Sequence, residues 1–108
     1  MDFDAVKKRF DDLKVKPSNV HPKIRGVLIG MIDKACGSKD NRYQFAISLG
    51  MKAHSKDWSD GEWWAVYQMI KPDKVGTHWA ATEPKFQEIV DAVMRKVAEN
   101  PAQIAMFE

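Results

Sequence analysis

The chain holds a single cysteine, Cys36, among 108 residues. One thiol excludes an internal disulfide and a multi-cysteine metal site. Cys36 reads as a small buried thiol at a helix end beside Gly37, in a reducing, cytosolic compartment. Charge of one sign is also scarce: the formal net charge is only +2. That balance does not demand nucleic acid or an anionic membrane, and Lys7-Lys8-Arg9 reads as a solvated helix face. No apolar run approaches the roughly 18 residues of a membrane span. The opening Met1-Asp2-Phe3-Asp4 is acidic and lacks an apolar core, so no signal peptide is expected. There is no internal repeat and no low-complexity segment.

The usual signatures of catalysis are missing as well. His21, His54 and His78 are far apart and show neither His-x-x-x-His nor His-Glu-x-x-His spacing. There is no glycine-rich phosphate loop and no Gly-x-Ser-x-Gly elbow. Asp11-Asp12 and Asp57, Asp60 and Glu62 read as carboxylates of helix starts. His54 reads as a favourable charge at a helix C-terminus, within reach of Asp57. No enzyme activity, metal or cofactor is expected.

What is present is helical periodicity. With 44% hydrophobic and 30% charged residues the chain is of ordinary globular composition, and its length suits one domain. Phe3, Val6, Phe10 and Leu13 share one face of a first helix near 4–14, capped by Asp2 or Asp4. Residues 15–20 read as a connection. A second helix near 22–37 carries the stripe Ile24, Val27, Leu28, Met31, Ile32 and Ala35. Gly26 and Gly30 lie off that stripe and cost helix stability, which close approach of another backbone would repay, in an intramolecular helix crossing or, as the alternative, a dimerisation face.

A third helix is predicted from Ser38 or Asp40 to about His54. It is apolar on most of its circumference, Gly50 and Met51 included. Gln44, Ser48 and Lys52 form its polar strip, so a central place in the bundle is expected. Ser59-Asp60-Gly61-Glu62 has capping-box spacing and opens a fourth helix that stops at Pro72. Trp63, Val66, Tyr67 and Ile70 form its core stripe. Residues 72–82 read as a loop with a short turn near 75–79. Thr82-Glu83-Pro84 opens a fifth helix to about Glu99, with Phe86, Ile89, Val90, Val93, Met94 and Val97 on one face. No segment alternates with period two for long enough to predict a sheet. The expected fold is all-α, a compact bundle of about five helices over 1–99 with an extended C-terminal tail over 100–108.

The tail reads Gln103-Ile104-Ala105-Met106-Phe107-Glu108. It resembles the short peptide with which bacterial replication and repair proteins dock on the DNA sliding clamp. That peptide reads Gln-Leu-Ser/Asp-Leu-Phe, with a Gln-x-x-Met-Phe variant. Gln103, Met106 and Phe107 match the variant, Ile104 is a mild change from leucine, and Ala105 departs from the usual polar residue. The resemblance implies the clamp as partner, with Met106 and Phe107 as apolar anchors and Gln103 hydrogen-bonding at the pocket edge. The competing reading packs Ile104, Met106 and Phe107 back on the helices.

Trp58, Trp63, Trp64, Tyr67 and Trp79 cluster among lysines. Lys52, Lys56, Trp64, Lys71, Lys74 and Trp79 are therefore candidates for binding single-stranded nucleic acid, against the alternative of a tryptophan-rich core layer. Finally, 42–70 resembles a helix pair of phage- and plasmid-borne proteins of DNA metabolism, through Phe45-Ala46-Ile47-Ser48-Leu49, Trp58-Ser59 and Trp63-Trp64-Ala65-Val66. The resemblance implies a mobile-element origin and transfers no functional residue. Two readings follow beside a clamp-docking accessory or inhibitor: a nucleic-acid-binding module, and a mobile-element inhibitor of another host complex.

Overall fold

A computed structural model describes residues 2–15, 18–82 and 85–99. In chain order the elements are α1 (Phe3–Lys14), α2 (Pro22–Cys36), α3 (Lys39–Ser48), a 3-10 turn (Ser55–Asp57), α4 (Asp60–Ile70), β1 (Pro72–Val75), β2 (His78–Ala81) and α5 (Phe86–Glu99). Helix takes 69% of the described residues, so the molecule is mostly α, but a small two-stranded sheet is added to it.

Local chemistry sets the helix ends. Asp2 caps α1 by accepting the Ala5 N–H at 2.8 Å, and Ser38 caps α3 by accepting from Asn41 N–H. The capping box of α4 is complete: Ser59 Oγ accepts from the Glu62 N–H, and Glu62 Oε1 from the Ser59 N–H. Gly37, at φ 98°, ends α2 in the left-handed region that glycine enters without strain.

The apolar stripes then meet. Val6 and Phe10 of α1, Leu28 and Ile32 of α2, and Phe45 and Ala46 of α3 are buried. So are Ala65, Val66, Met69 and Ile70 of α4, and Ile89, Val90, Val93 and Val97 of α5. Helix α4 packs chiefly on α1, and α5 lies against α3, α1 and α2. At the α1–α4 crossing Gly61 is buried, and a Cβ there would stand 2.1 Å from the Lys14 carbonyl oxygen.

Four expectations are corrected. First, α3 stops at Ser48 rather than near His54. Gly50, at φ 89°, donates its N–H to Ile47 O, and Met51 donates to Ala46 O. Those two bonds are a Schellman stop, which a Leu-Gly-Met run inside an apolar stripe conceals. Second, α3 packs on α5 and α2, its Tyr43 and Ile47 are only half-buried, and Gln44 of the expected polar strip is buried with Arg42. Third, Gly26 and Gly30 face open space, with nothing within 4 Å of a built Cβ. The close backbone approach falls at Gly61 instead.

Fourth, 72–81 is an antiparallel hairpin with Pro72 opposite Ala81, Asp73 opposite Ala80, Lys74 opposite Trp79 and Val75 opposite His78. Gly76, at φ 63°, takes the first place of the two-residue Gly76-Thr77 turn, the glycine-first pattern of tight hairpins. Each strand has four residues, and neither Pro72-Asp73-Lys74-Val75 nor His78-Trp79-Ala80-Ala81 alternates apolar with polar, so no period of two registers. The half-buried residues, Pro72, Trp79 and Ala81, share one face, and β2 rests on α2.

Candidate binding surfaces

The clamp-type residues Gln103, Ile104, Met106 and Phe107, with the whole 100–108 segment, lie outside the described residues. The last described residue of α5 is Glu99.

The six nucleic-acid candidates are described, and they divide among several places. Lys74 and Trp79 are brought together as a directly opposed cross-strand pair. Lys74 is exposed. Trp79 is half-buried and lines a groove of about 380 Å³ with Met31, Ala35 and Phe86. Lys52 and Lys56 are exposed in the segment that follows α3. The Trp58 indole N–H donates to the Lys52 carbonyl at 2.7 Å, which ties that segment to the core. Lys56 lines a separate groove with Arg25, Gly26 and Trp63. Trp58 and Trp63 are core residues in mutual contact, with ring centroids 4.8 Å apart.

Trp64 and Lys71 belong to a third place, organised by Tyr67. Trp64 and Tyr67 stand three residues apart on α4, the spacing that puts side chains on one helix face. Their rings stack nearly parallel, 15° between planes and 5.7 Å between centroids, and both are half-buried. Trp64 and Tyr67 share a groove of about 250 Å³ with Asn19, Val20, His21 and Ile24, at the start of α2.

His21 caps α2: its Nδ1 accepts from the Lys23 N–H at 3.1 Å. In the neutral ring this leaves Nε2 to carry the proton. The Ile24 and Arg25 N–H groups both donate to the His21 carbonyl, so the helix start offers no spare backbone donor there. Tyr67 also borders a second groove with Gln68, Lys71, Pro72, Asp73 and Thr82. Lys71 is held in the left-handed region, φ 46°, by its own N–H to Tyr67 O and by Thr82 N–H to its carbonyl.

The sequence reading assigned Tyr67 to the core and gave His21 no role. The Trp64–Tyr67 spacing was the available signal. The partnership with His21 depends on how α2 crosses α4, which no local pattern encodes.

Two polar features occupy the body of the domain. Arg42, buried on α3, donates from Nε to Asp33 Oδ1 of α2 at 2.5 Å, and its guanidinium lies 5.1 Å from the Tyr43 ring centroid. Cys36 is half-buried nearby. Burial, and then the Asp33 carboxylate, push its thiol up to about 12, with Arg42 opposing. A thiol so shifted is neutral and a poor nucleophile.

His54 does not stand at a helix C-terminus, because α3 has already ended. It precedes the 3-10 turn, its carbonyl accepts the Asp57 N–H, and its ring meets Tyr43 edge-on at 4.9 Å. Among the described residues, no group of three or more His, Cys, Asp or Glu is placed to hold a metal ion. No described helix is long and apolar enough to cross a membrane. No family model, curated protein or solved structure matches this chain.

Proposed function

We propose that this protein is a small non-enzymatic accessory or inhibitor of DNA replication or repair that docks on the bacterial sliding clamp through Gln103, Ile104, Met106 and Phe107. The observation that carries the reading is the Gln-x-x-Met-Phe pattern at 103–107 of the sequence. Helix α5 is described to Glu99, and Pro101 follows two residues later. Proline biases the residue before it, Asn100, away from helical geometry, which is the sequence signal for a break ahead of Gln103.

Met106 and Phe107 supply the apolar anchors on which a small interface depends, and Gln103 supplies a rim hydrogen bond. The likeness of 42–70 to a helix pair of phage and plasmid proteins supports a mobile-element origin. The protein then acts either by recruiting a partner to the clamp or by occupying the clamp against host proteins.

Clamp-affinity capture tests the reading. Wild-type protein is retained and the Met106→Ala/Phe107→Ala variant is lost, with affinity falling at least about thirtyfold if each anchor behaves as a hot spot. Equal retention of the two proteins rejects it.

A further inference from the structure

We propose that the groove between the start of α2 and α4 is a subsite for single-stranded nucleic acid, in which one nucleobase extends the Trp64–Tyr67 stack. The phosphates on either side are met by Lys71 and Lys23. This inference does not rest on the clamp reading.

The geometry has three parts. Trp64 and Tyr67 already form a nearly parallel π-stack that is only half-buried, and a base adds a further layer to such a stack whatever its sequence. The groove they share with Ile24 and His21 measures about 250 Å³. Its lining offers aromatic and aliphatic surface beside the polar Asn19 and His21 side chains, the kind of surface on which a base can stack. Two cations neighbour the groove along the chain: Lys71 lines the adjoining groove that Tyr67 also borders, and Lys23 stands two residues beyond the groove residue His21. Lys71 lies one turn beyond Tyr67 on a backbone pinned by Thr82, and Lys23 is exposed on the first turn of α2 beside His21.

The nearby carboxylates are partly engaged. Asp60 accepts from Arg25 at 3.1 Å, which removes Arg25 as well as Asp60 from the account. Asp73 borders the Lys71 groove, and its Oδ1 accepts the Lys74 N–H. Trp79, the other half-buried tryptophan, lines a different groove and serves as an internal control.

The experiment is fluorescence anisotropy of a labelled oligothymidylate titrated with the full chain at low salt. A saturable rise is expected. Trp64→Leu weakens binding about tenfold, the scale of one lost base stack. Lys71→Gln weakens it a few-fold and lowers the slope of log affinity against log salt by about 0.7, the share of one phosphate contact on a single strand. Trp79→Leu and Met106→Ala/Phe107→Ala leave binding unchanged. The tail variant thereby separates this proposal from the clamp reading, since it abolishes clamp capture and spares the oligonucleotide.

Far-UV circular dichroism checks that each variant is folded. If Trp64→Leu is not, Tyr67→Leu takes its place with the same expected loss. The proposal is overturned by the absence of a saturable rise or by wild-type affinity in the folded stack variant. It is also overturned by an equal loss on Trp79→Leu, or by base-free polyphosphate competing as well as unlabelled oligonucleotide. Engagement of the groove by a protein partner, seen as chemical-shift changes at Trp64 and Tyr67 without any response to oligonucleotide, overturns it too.

Discussion

Replacing Gly61 by alanine probes the tightest helix crossing. The new Cβ would lie 2.1 Å from the carbonyl oxygen of Lys14 and 3.2 Å from its carbonyl carbon. Both are backbone atoms at the end of α1, so no rotamer change relieves the overlap. The two helices must separate by about an ångström along the principal contact of α1, which loosens the layer around Val6 and Phe10. Overpacking of this kind costs about 1–3 kcal/mol, and a main-chain clash belongs at the upper end. Alanine recovers at most about 1 kcal/mol of helix propensity, and less in the first turn. The net expectation is a loss of about 2 kcal/mol.

Gly26→Ala and Gly30→Ala are the matched controls. Both glycines are exposed in the body of α2 with nothing within 4 Å of a Cβ, so each substitution stabilises by about 0.5–1 kcal/mol. Urea titrations followed by far-UV circular dichroism read the difference as midpoints moving in opposite directions at constant m. For a domain of this size, Gly61→Ala lowers the melting temperature by about 8–16 °C, and each control raises it by a few degrees. A Gly61→Ala protein as stable as wild type, or more so, would refute the reasoning.

Asp33→Ala strips the buried Arg42 guanidinium of its carboxylate and is expected to cost about 2–3 kcal/mol in the same titration. Adding Arg42→Met should restore most of that loss, because an apolar replacement leaves no charge unpaired; failure of the second change to rescue the first argues against the pair. At pH 8 a thiol shifted to about 12 is ionised to roughly one part in ten thousand, so iodoacetamide should label native Cys36 about a thousandfold more slowly than an ordinary thiol. The native thiol resists ionisation, so its contribution to stability is fully present below pH 9. It is lost as pH rises from there toward 12. Cys36→Ala should flatten that part of the stability–pH curve, and an unchanged curve would show that Cys36 does not cause it.

Much of the helical layout is legible because it is written in short-range chemistry. The Ser59–Glu62 box, the Ser38 cap and the glycine at position 37 act within one turn of their own helix. The stripes through Val6 and Phe10, Leu28 and Ile32, and Ile89, Val90 and Val93 repeat at helical spacing. The hairpin escaped because neither of its strands alternates apolar with polar residues and its turn glycine looks like any loop glycine. Gly50 escaped because the same residue type serves as a helix stop or as a gap in an apolar face.

At the candidate sites, the resemblance carried by Gln103 to Phe107 rests on a contiguous peptide alone and lies outside the described residues. The Trp64–Tyr67 stack was half legible, as a spacing on one helix. Its union with His21 and Ile24 was not. Nor was the division of the remaining lysines and Trp79 among other grooves.

The amino-acid order alone determined where the first four helices start and the main apolar stripes of α1, α2 and α5. Those are matters of neighbours within about one turn, where propensity, capping and periodicity act. Tertiary structure alone decided which glycine bears the close contact, which arginine is buried and which aromatic pair is left half-open beside α2. Each of those depends on how two distant helices cross, and the crossing is set by the summed packing of the core, not by any one segment.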